Sequence, residues 1–354
     1  MITLPEKLST MTPYEPGEDM YDIKLDANES YFSLPEELLD AVIAGIETID
    51  FNRYPDPAVT DVRRLAGREF RIAPGNIVVG NGSDELISLI VNTFAPRGGK
   101  VMVLSPDFSM YQFYAEVAEL EIVNMLKDGE FALTEQEVID RAKAEKPDIL
   151  IFSNPCNPGG QGFDHGETLR ICMALEDTLV VVDEAYMDFW DQSILDVSTA
   201  LENVLVMRTL SKAYGCAALR CGFVIGYKDL IDQLNKTRSP YNVNSMTQMA
   251  ASIVLEDTSW QKEQCAAIVA RKEELEQACT ELAQEYSVFS VLPTHTNFVI
   301  LRTPKCTDIY EELKTRSILV RCFPNYSMLR ITTGSEAENR ELLEELKDIC
   351  SSMQ

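Results

Sequence analysis

The chain is predicted to be an α/β protein, a mostly parallel sheet between two layers of helices, with a smaller α+β layer after it. Three observations carry this. From "NIVVG" onward, short β runs alternate with helical stretches. The β runs are continuously apolar rather than alternating, as expected of parallel strands covered on both faces. Beyond about residue 245 the pattern changes to a long charged helix followed by short strands. The repeated βα order implies right-handed crossovers and helices on both faces of one sheet.

The elements run in this order. Pro5, Pro13, Pro16 and Gly17 make the first 30 residues an arm rather than a core element. "LPEELLDAVIAGI" has helical apolar spacing. "NIVVG" then leads into "GSDELISLIVNTFA", "KVMVLSP" into "MYQFYAEVAEL", and "DILIFSNP" into "GETLRICMALE". "TLVVVDEAY", "NVLVMRTL" and "FVIGY" complete the apolar runs. The helical "TSWQKEQCAAIVARKEELEQACTELAQEY" precedes "VFSVLP", "NFVILRT", a helix, "ILVRCF", "LRITTG" and a final acidic helix. The expected organisation is an arm over residues 1–29, a large domain over 30–244, and a small domain over 245–354 that includes the arm.

Composition narrows the function. At 354 residues, 45% hydrophobic and 25% charged, the chain is an ordinary globular protein. Its formal charge of −26, from 31 basic against 57 acidic residues, argues against nucleic acid as a partner. An anionic substrate would need local arginines working against the overall field. Nine scattered cysteines without a CxxC pair suit a reducing compartment. No signal-like N-terminus and no membrane-length apolar run is found, so a cytoplasmic location is expected. With only His165 and His295, a His-rich metal site is excluded and a His-based triad is poorly supported.

Ligands of open α/β sheets bind beyond the carboxyl ends of the strands. The residues just past each apolar run are therefore informative. Gly82, Ser83 and Asp84 open a helix after "IVVG" and suit either a plain turn and N-cap or a phosphate seat. "NPCNPGG" places the amide of Asn157 after "LIFS". Asp183, Glu184, Ala185 and Tyr186 come after "LVVV"; a buried Asp there is costly unless paired, although a helix cap would also accommodate it. Thr209, Ser211 and Lys212 come after "LVMR", with Arg220 eight residues beyond Lys212. Each signal alone is weak. Together, a phosphate seat, a donor, an acid, a phenol and a lysine are the set that pyridoxal phosphate requires. A lysine that must hold a carbonyl compound has to shed its proton, and burial and cationic neighbours favour that.

These residues resemble a known family. "NPCNPGG", "DEAY", "TLSKAYGCAALRCGF" and "LRITTG" look like the motifs of fold-type I pyridoxal-phosphate aminotransferases. "LDANES", "NRYPDP" and "LRITTGSEAEN" extend the resemblance, over nearly the whole chain, to the histidinol-phosphate aminotransferase group. The resemblance implies a seven-stranded, mostly parallel sheet and assigns roles where residues match. Lys212 would be the Schiff-base lysine, Asp183 the partner of the pyridine nitrogen, and Asn157 and Tyr186 the contacts of the ring oxygen. Gly82, Ser83, Asp84, Thr209, Ser211 and Arg220 would surround the cofactor phosphate. Tyr14 and Asn28 would lie on a substrate-covering arm, and Arg321 and Arg330 would bind the substrate's anionic end. Asn242 is a further pocket candidate. Tyr54 would reach the neighbouring subunit's site, which implies a homodimer.

The chain departs from the family pattern in places. Phe108 stands where a Tyr usually stacks on the ring, Cys156 and Gly159 replace polar residues of the Asn-Pro loop, and the arm is short. An exposed, salt-bridged arginine would explain Arg321 as well as a substrate contact does, whereas motif context favours substrate for Arg330. Cys156 and Cys216 suit small packing positions, and His295 a structural one.

The expected reaction moves an amino group from L-histidinol phosphate to 2-oxoglutarate. The alternatives are an aromatic or broad amino-acid aminotransferase, a phosphothreonine decarboxylase, and a non-catalytic cofactor-binding regulator. The last usually carries a basic DNA-binding module, and the acidic balance of these residues speaks against one.

Overall fold

The computed structural model describes residues 2, 6–9, 11 and 20–353. Strand β1 (Ile23–Lys24) and helices α1 (Glu36–Ile46) and α2 (Thr60–Phe70) lead into the first sheet. That sheet contains β2 (Ile77–Asn81), β3 (Lys100–Ser105), β4 (Glu121–Leu126), β5 (Ile149–Ser153), β6 (Leu179–Asp183), β7 (Val204–Thr209) and β8 (Cys221–Gly226). Its helices are α3 (Gly82–Phe94), α4 (Met110–Val117), α5 (Glu135–Glu145), α6 (His165–Ala174), α7 (Leu195–Ser198) and α8 (Lys228–Thr237). Helices α9 (Ser245–Glu256) and α10 (Ser259–Tyr286) come next. The chain then forms β9 (Ser290–Leu292), β10 (Phe298–Arg302), α11 (Cys306–Thr315), β11 (Ile318–Leu319), β12 (Arg321–Phe323), β13 (Met328–Thr332) and α12 (Glu336–Ser352).

The first sheet has the order β2-β8-β7-β6-β5-β3-β4. All neighbours are parallel except β8, which is antiparallel to both β2 and β7. The apolar run "FVIG" gives no hint of this reversal, because burial on two faces, not strand direction, dictates an apolar run. What reverses the chain is the return between Thr209 and Cys221, which contains no α-helix and is too short for a parallel crossover.

Successive residues of each central strand enter opposite cores, as the period of two requires. Leu104, Phe152, Val182, Val206 and Phe223 pack with residues of α2, α5, α6 and α9. Val103, Ile151, Val181, Leu205 and Val224 pack with residues of α3, α4 and α8. Edge strand β4 buries only Val123, so no continuous apolar run marks it.

The second sheet, β12-β13-β10-β9, is antiparallel, and α10, α11 and α12 cover it around Leu275, Ile309, Leu342 and Leu346. Ile23 and Leu25 belong to this core, and β1 pairs with β11. Ala251, Val254 and Leu255 of α9 belong instead to a core of the first sheet. Reciprocal Ser/Thr/Asp–Glu caps start α5, α6 and α12, each worth about 1 kcal/mol. All nine cysteines are free thiols. Among the described residues no helix is long and apolar enough to cross a membrane.

Candidate active site

The carboxyl ends of the parallel strands bring the expected residues to one edge. Ser153, Asp183 and Met207 lie in register across β5, β6 and β7. Because β8 runs backwards, its first residues join that edge. Thr209 faces Gly222, and Asn81 faces Cys221.

Asp183 closes β6 with a carboxyl group that is 3% exposed as a residue. Tyr111 Oη donates to its Oδ2 at 2.7 Å, and the Ala185 N–H donates to Oδ1 at 3.1 Å. Burial pushes the Asp183 pKa up to about 6, against the pull of those two hydrogen bonds. The next residue, Glu184, points the other way and pairs with Arg208 at 3.1 Å. The two acids of "DEAY" thus serve opposite faces of the sheet.

Lys212 lies in the return after β7. Its Nζ donates to Ala27 O at 2.9 Å and sits 5.7 Å from the centre of the Tyr186 ring. Tyr186 is buried, and its hydroxyl accepts a hydrogen bond from Asn28 Nδ2 at 2.8 Å. Asn28 adopts φ 54° and is held from both sides. Its N–H donates to Thr332 Oγ1, and its carbonyl accepts from Asn297 Nδ2. The segment "LDANES" is therefore fastened to the second sheet and lies over the lysine.

At the other end, Gly82 starts α3 with φ 80°, and a Cβ there would lie 2.5 Å from the Arg220 guanidinium. Only glycine lets that arginine lie across the helix N-terminus. Arg220 Nη2 donates to Asp84 Oδ2 at 2.9 Å, which orients the guanidinium beside the open N–H groups. Ser83 occupies the same first turn. The buried hydroxyls of Thr209 and Ser211 are 3.0 Å apart.

Asn157 lies beyond β5. Its N–H donates to Ser153 Oγ at 3.0 Å, and its Oδ1 accepts from Arg330. Arg330 is 7% exposed, donates also to Asp26 O, and lies over the Phe298 and Phe323 rings. Arg321 is its partner across β12 and β13 but is exposed. Phe108 packs edge-on against Tyr111. Asn242 is engaged with Val79 O and Glu85. Tyr54 stands apart, 81% exposed and stacked on Tyr241 with 4.6 Å between ring centres. Tyr14 lies outside the described residues. His295 stacks on Trp190 and its backbone N–H donates to Gly160 O of the Asn157 loop at 2.9 Å, while His165 meets Ser193 O.

Tyr111 was not among the expected residues. Its signal was the spacing of three from Phe108, which sets the Phe108 ring in the loop edge-on to the Tyr111 ring in the first turn of α4. The buried group Asp107, Lys127 and Ser153 behind Asn157 had no sequence signal, because Lys127 comes directly after the unrecognised strand β4.

A buried carboxylate held by neutral donors, a lysine at a strand end and an arginine across a helix N-terminus define a class: enzymes that work on carbonyl and amino groups through a bound phosphorylated cofactor. Known proteins narrow it. The family model "Aminotransferase class I and II" matches residues 21–346. Histidinol-phosphate aminotransferase from Clostridium novyi is 37% identical over 338 residues, covering 95% of this chain and 94% of the relative. Its counterpart from Ruminiclostridium cellulolyticum is 35% identical, covering 97% of each. The crystal structure of the Sinorhizobium meliloti histidinol-phosphate aminotransferase in complex with pyridoxal-5'-phosphate has a TM-score of 0.88, with 22% identity over 99% of this chain and 98% of that one. The chain belongs to the class I and II aminotransferases, in their histidinol-phosphate aminotransferase family.

Proposed function

We propose that the protein transfers the amino group of L-histidinol phosphate to 2-oxoglutarate, giving imidazole-acetol phosphate and L-glutamate, with pyridoxal 5'-phosphate as cofactor. The observation that carries this is the convergence of Lys212, Asp183 and the Asp84–Arg220 pair at one sheet edge, in a chain 34–37% identical to three histidinol-phosphate aminotransferases over nearly its full length.

The residues fit the cofactor. Asp183 is fully buried and held by the neutral donors Tyr111 and Ala185, an arrangement that suits a protonated pyridine nitrogen. The cradle that Gly82 leaves under Arg220 suits a phosphate. Bound there, pyridoxal phosphate supplies the electron sink that makes the substrate's Cα–H acidic. Lys212 would hold the cofactor through its aldehyde carbon and, once displaced by the substrate's amino group, would carry the proton between the substrate's Cα and that carbon. Asp183 holds the proton on the ring nitrogen. Asn157 and Tyr186 would contact the ring oxygen, and Phe108 would pack on the ring with no hydrogen bond to offer. Ser83, Thr209, Ser211 and Arg220 neutralise the phosphate.

Arg330, with Arg321 beside it, receives the substrate's anionic end, and Asn28 covers it. We place the large domain at 30–244 and the small one at 245–354 with the arm, α9 at its start being the helix that packs against the first sheet, and the enzyme in the cytoplasm. Tyr54, exposed and stacked on Tyr241, would enter the site of a second copy in a homodimer. Sedimentation should then give a dimer, and Tyr54→Ala should raise KM without dissociating it.

The test is single turnover of the cofactor-loaded enzyme with L-histidinol phosphate, L-phenylalanine, L-glutamate and O-phospho-L-threonine, followed by cofactor absorbance. Histidinol phosphate should react fastest, with glutamate competent. An equal or faster rate with phenylalanine would favour an aromatic aminotransferase, and carbon dioxide from phosphothreonine would refute transamination. Arg330→Gln should raise KM for histidinol phosphate about 10–100-fold, the worth of a charge-assisted contact. Arg330→Lys should not restore it, because a point charge does not replace a planar fork.

A further inference from the structure

Behind the Asn157 turn lies a buried cluster that the reaction leaves unused. Lys127 and Asp107 have side chains 6% and 0% exposed and approach to 3.6 Å. Lys127 Nζ donates to Pro106 O at 2.9 Å and to Cys156 Sγ at 2.8 Å. The second contact is as short as a usual N–H···O bond of about 2.9 Å, although sulfur is the larger atom. Cys156 is 2% exposed, so amine and sulfur are pressed together away from water. Cys156 Sγ also meets a backbone carbonyl, Pro106 O at 3.5 Å, as the buried Cys216 and Cys265 meet those of Tyr214 and Asp188, so the lysine is what sets Cys156 apart from them.

We propose that Lys127 and Cys156 are an oxidation site, at which dioxygen joins the lysine nitrogen to the cysteine sulfur through one oxygen atom. The S–H bond and one N–H bond break, and S–O and O–N bonds form. Sulfur and nitrogen each give up two electrons, and dioxygen takes all four. One of its oxygen atoms stays in the bridge and the other leaves as water, while the ammonium's remaining extra proton goes to solvent. Thiols reverse the step: four thiol equivalents return amine and cysteine with one water and two disulfides.

The bridge has a consequence for the site, which rests on the proposed function; the covalent step does not. A nitrogen bonded to oxygen is weakly basic, so the cross-link removes the positive charge beside Asp107. Asp107 accepts from Ser153 Oγ and from the Phe108 N–H at 2.8 Å, and Ser153 Oγ in turn accepts from Asn157 N–H. An uncompensated buried carboxylate there disturbs both the Phe108 and Asn157 contacts. Oxidation thus slows the enzyme reversibly.

The experiment compares cofactor-loaded enzyme in air-saturated buffer with enzyme kept anoxic in dithiothreitol, by intact mass, tryptic mapping and rate. Air should add the mass of one oxygen less two hydrogens, join the peptides of Lys127 and Cys156, and block tryptic cleavage after Lys127. The rate should fall by up to about 10²-fold, the cost of misplacing a positioning group by about 1 Å, and dithiothreitol should restore mass, cleavage and rate. Cys156→Ser should show none of these changes in air. Free Cys156, or sulfinic acid with Lys127 still cleaved, would overturn the site. A bridge that forms without slowing the reaction would overturn its coupling to Asn157. The mass change is expected even if the enzyme proves to use another substrate, so the two readings fail separately.

Discussion

Lys212→Ala should lose transamination by about 10⁴-fold or more, the upper range for removing a positioned proton carrier, with loss of the covalent anchor besides. Lys212 is the lysine whose amine stands over Tyr186 and under the Ala27 carbonyl. Borohydride reduction followed by peptide mapping checks it. The native protein should carry the pyridoxyl group on Lys212 and the variant on no residue. The variant should still bind the cofactor non-covalently, because Asp183 and the Asp84–Arg220 seat remain. Lys212→Arg keeps the charge and should be as inactive as the alanine variant. Labelling of a different lysine in the native protein would refute the assignment.

Asp183→Asn should have opposite effects on catalysis and on stability. Without a carboxylate to hold the ring nitrogen's proton, kcat should fall about 10²–10³-fold. The cofactor-free variant should nevertheless be the more stable protein at neutral pH. Folding raises the Asp183 pKa from 3.8 to about 6, so the folded state prefers the protonated acid. Its contribution to stability is therefore fully present below pH 3.8 and is lost as pH rises through 6. Two units correspond to about 3 kcal/mol, and asparagine has no such loss. Urea unfolding of both cofactor-free proteins should show the variant gaining about 3 kcal/mol on the native protein between pH 4 and pH 8. A flat difference across that range would mean that Asp183 is not desolvated. Tyr111 donates to the same carboxylate, and Tyr111→Phe should move the transition to higher pH.

The fold is most legible in the central strands. β3, β5, β6 and β7 announce themselves because two buried faces demand an unbroken apolar run. Strand β4 does not, since an edge strand with one buried residue carries no such run. The direction of β8 was equally invisible, because burial is the same for a parallel and an antiparallel strand. In the site, Lys212, Asp183, Gly82 and Arg220 were readable because strand ends are where an α/β sheet presents ligands, and each residue type has a distinct chemical use. Tyr111 and Lys127 were not. Their importance lies in what they touch, Asp183 in one case and Asp107 with Cys156 in the other, and those contacts join segments 72 and 29 residues apart. Motif context separated Arg330 from Arg321 in the sequence, but not their burial. Both lie over Phe323, and Arg330 is buried where it also lies over Phe298 and reaches Asn157 and the Asp26 carbonyl, while Arg321 is left in solvent.

By itself, then, the sequence determined the α/β class, the order of the central strands and helices along the chain, and the chemical inventory at their ends. Periodicity and residue type are local properties, and each segment carries its own. Only the tertiary structure decided that "LDANES" lies over Lys212, that Arg330 meets Asn157, that Asp183 is dry enough for its pKa to reach about 6, and that Lys127 touches Cys156. Desolvation and distance belong to no single segment. They arise when remote segments exclude water from the same volume.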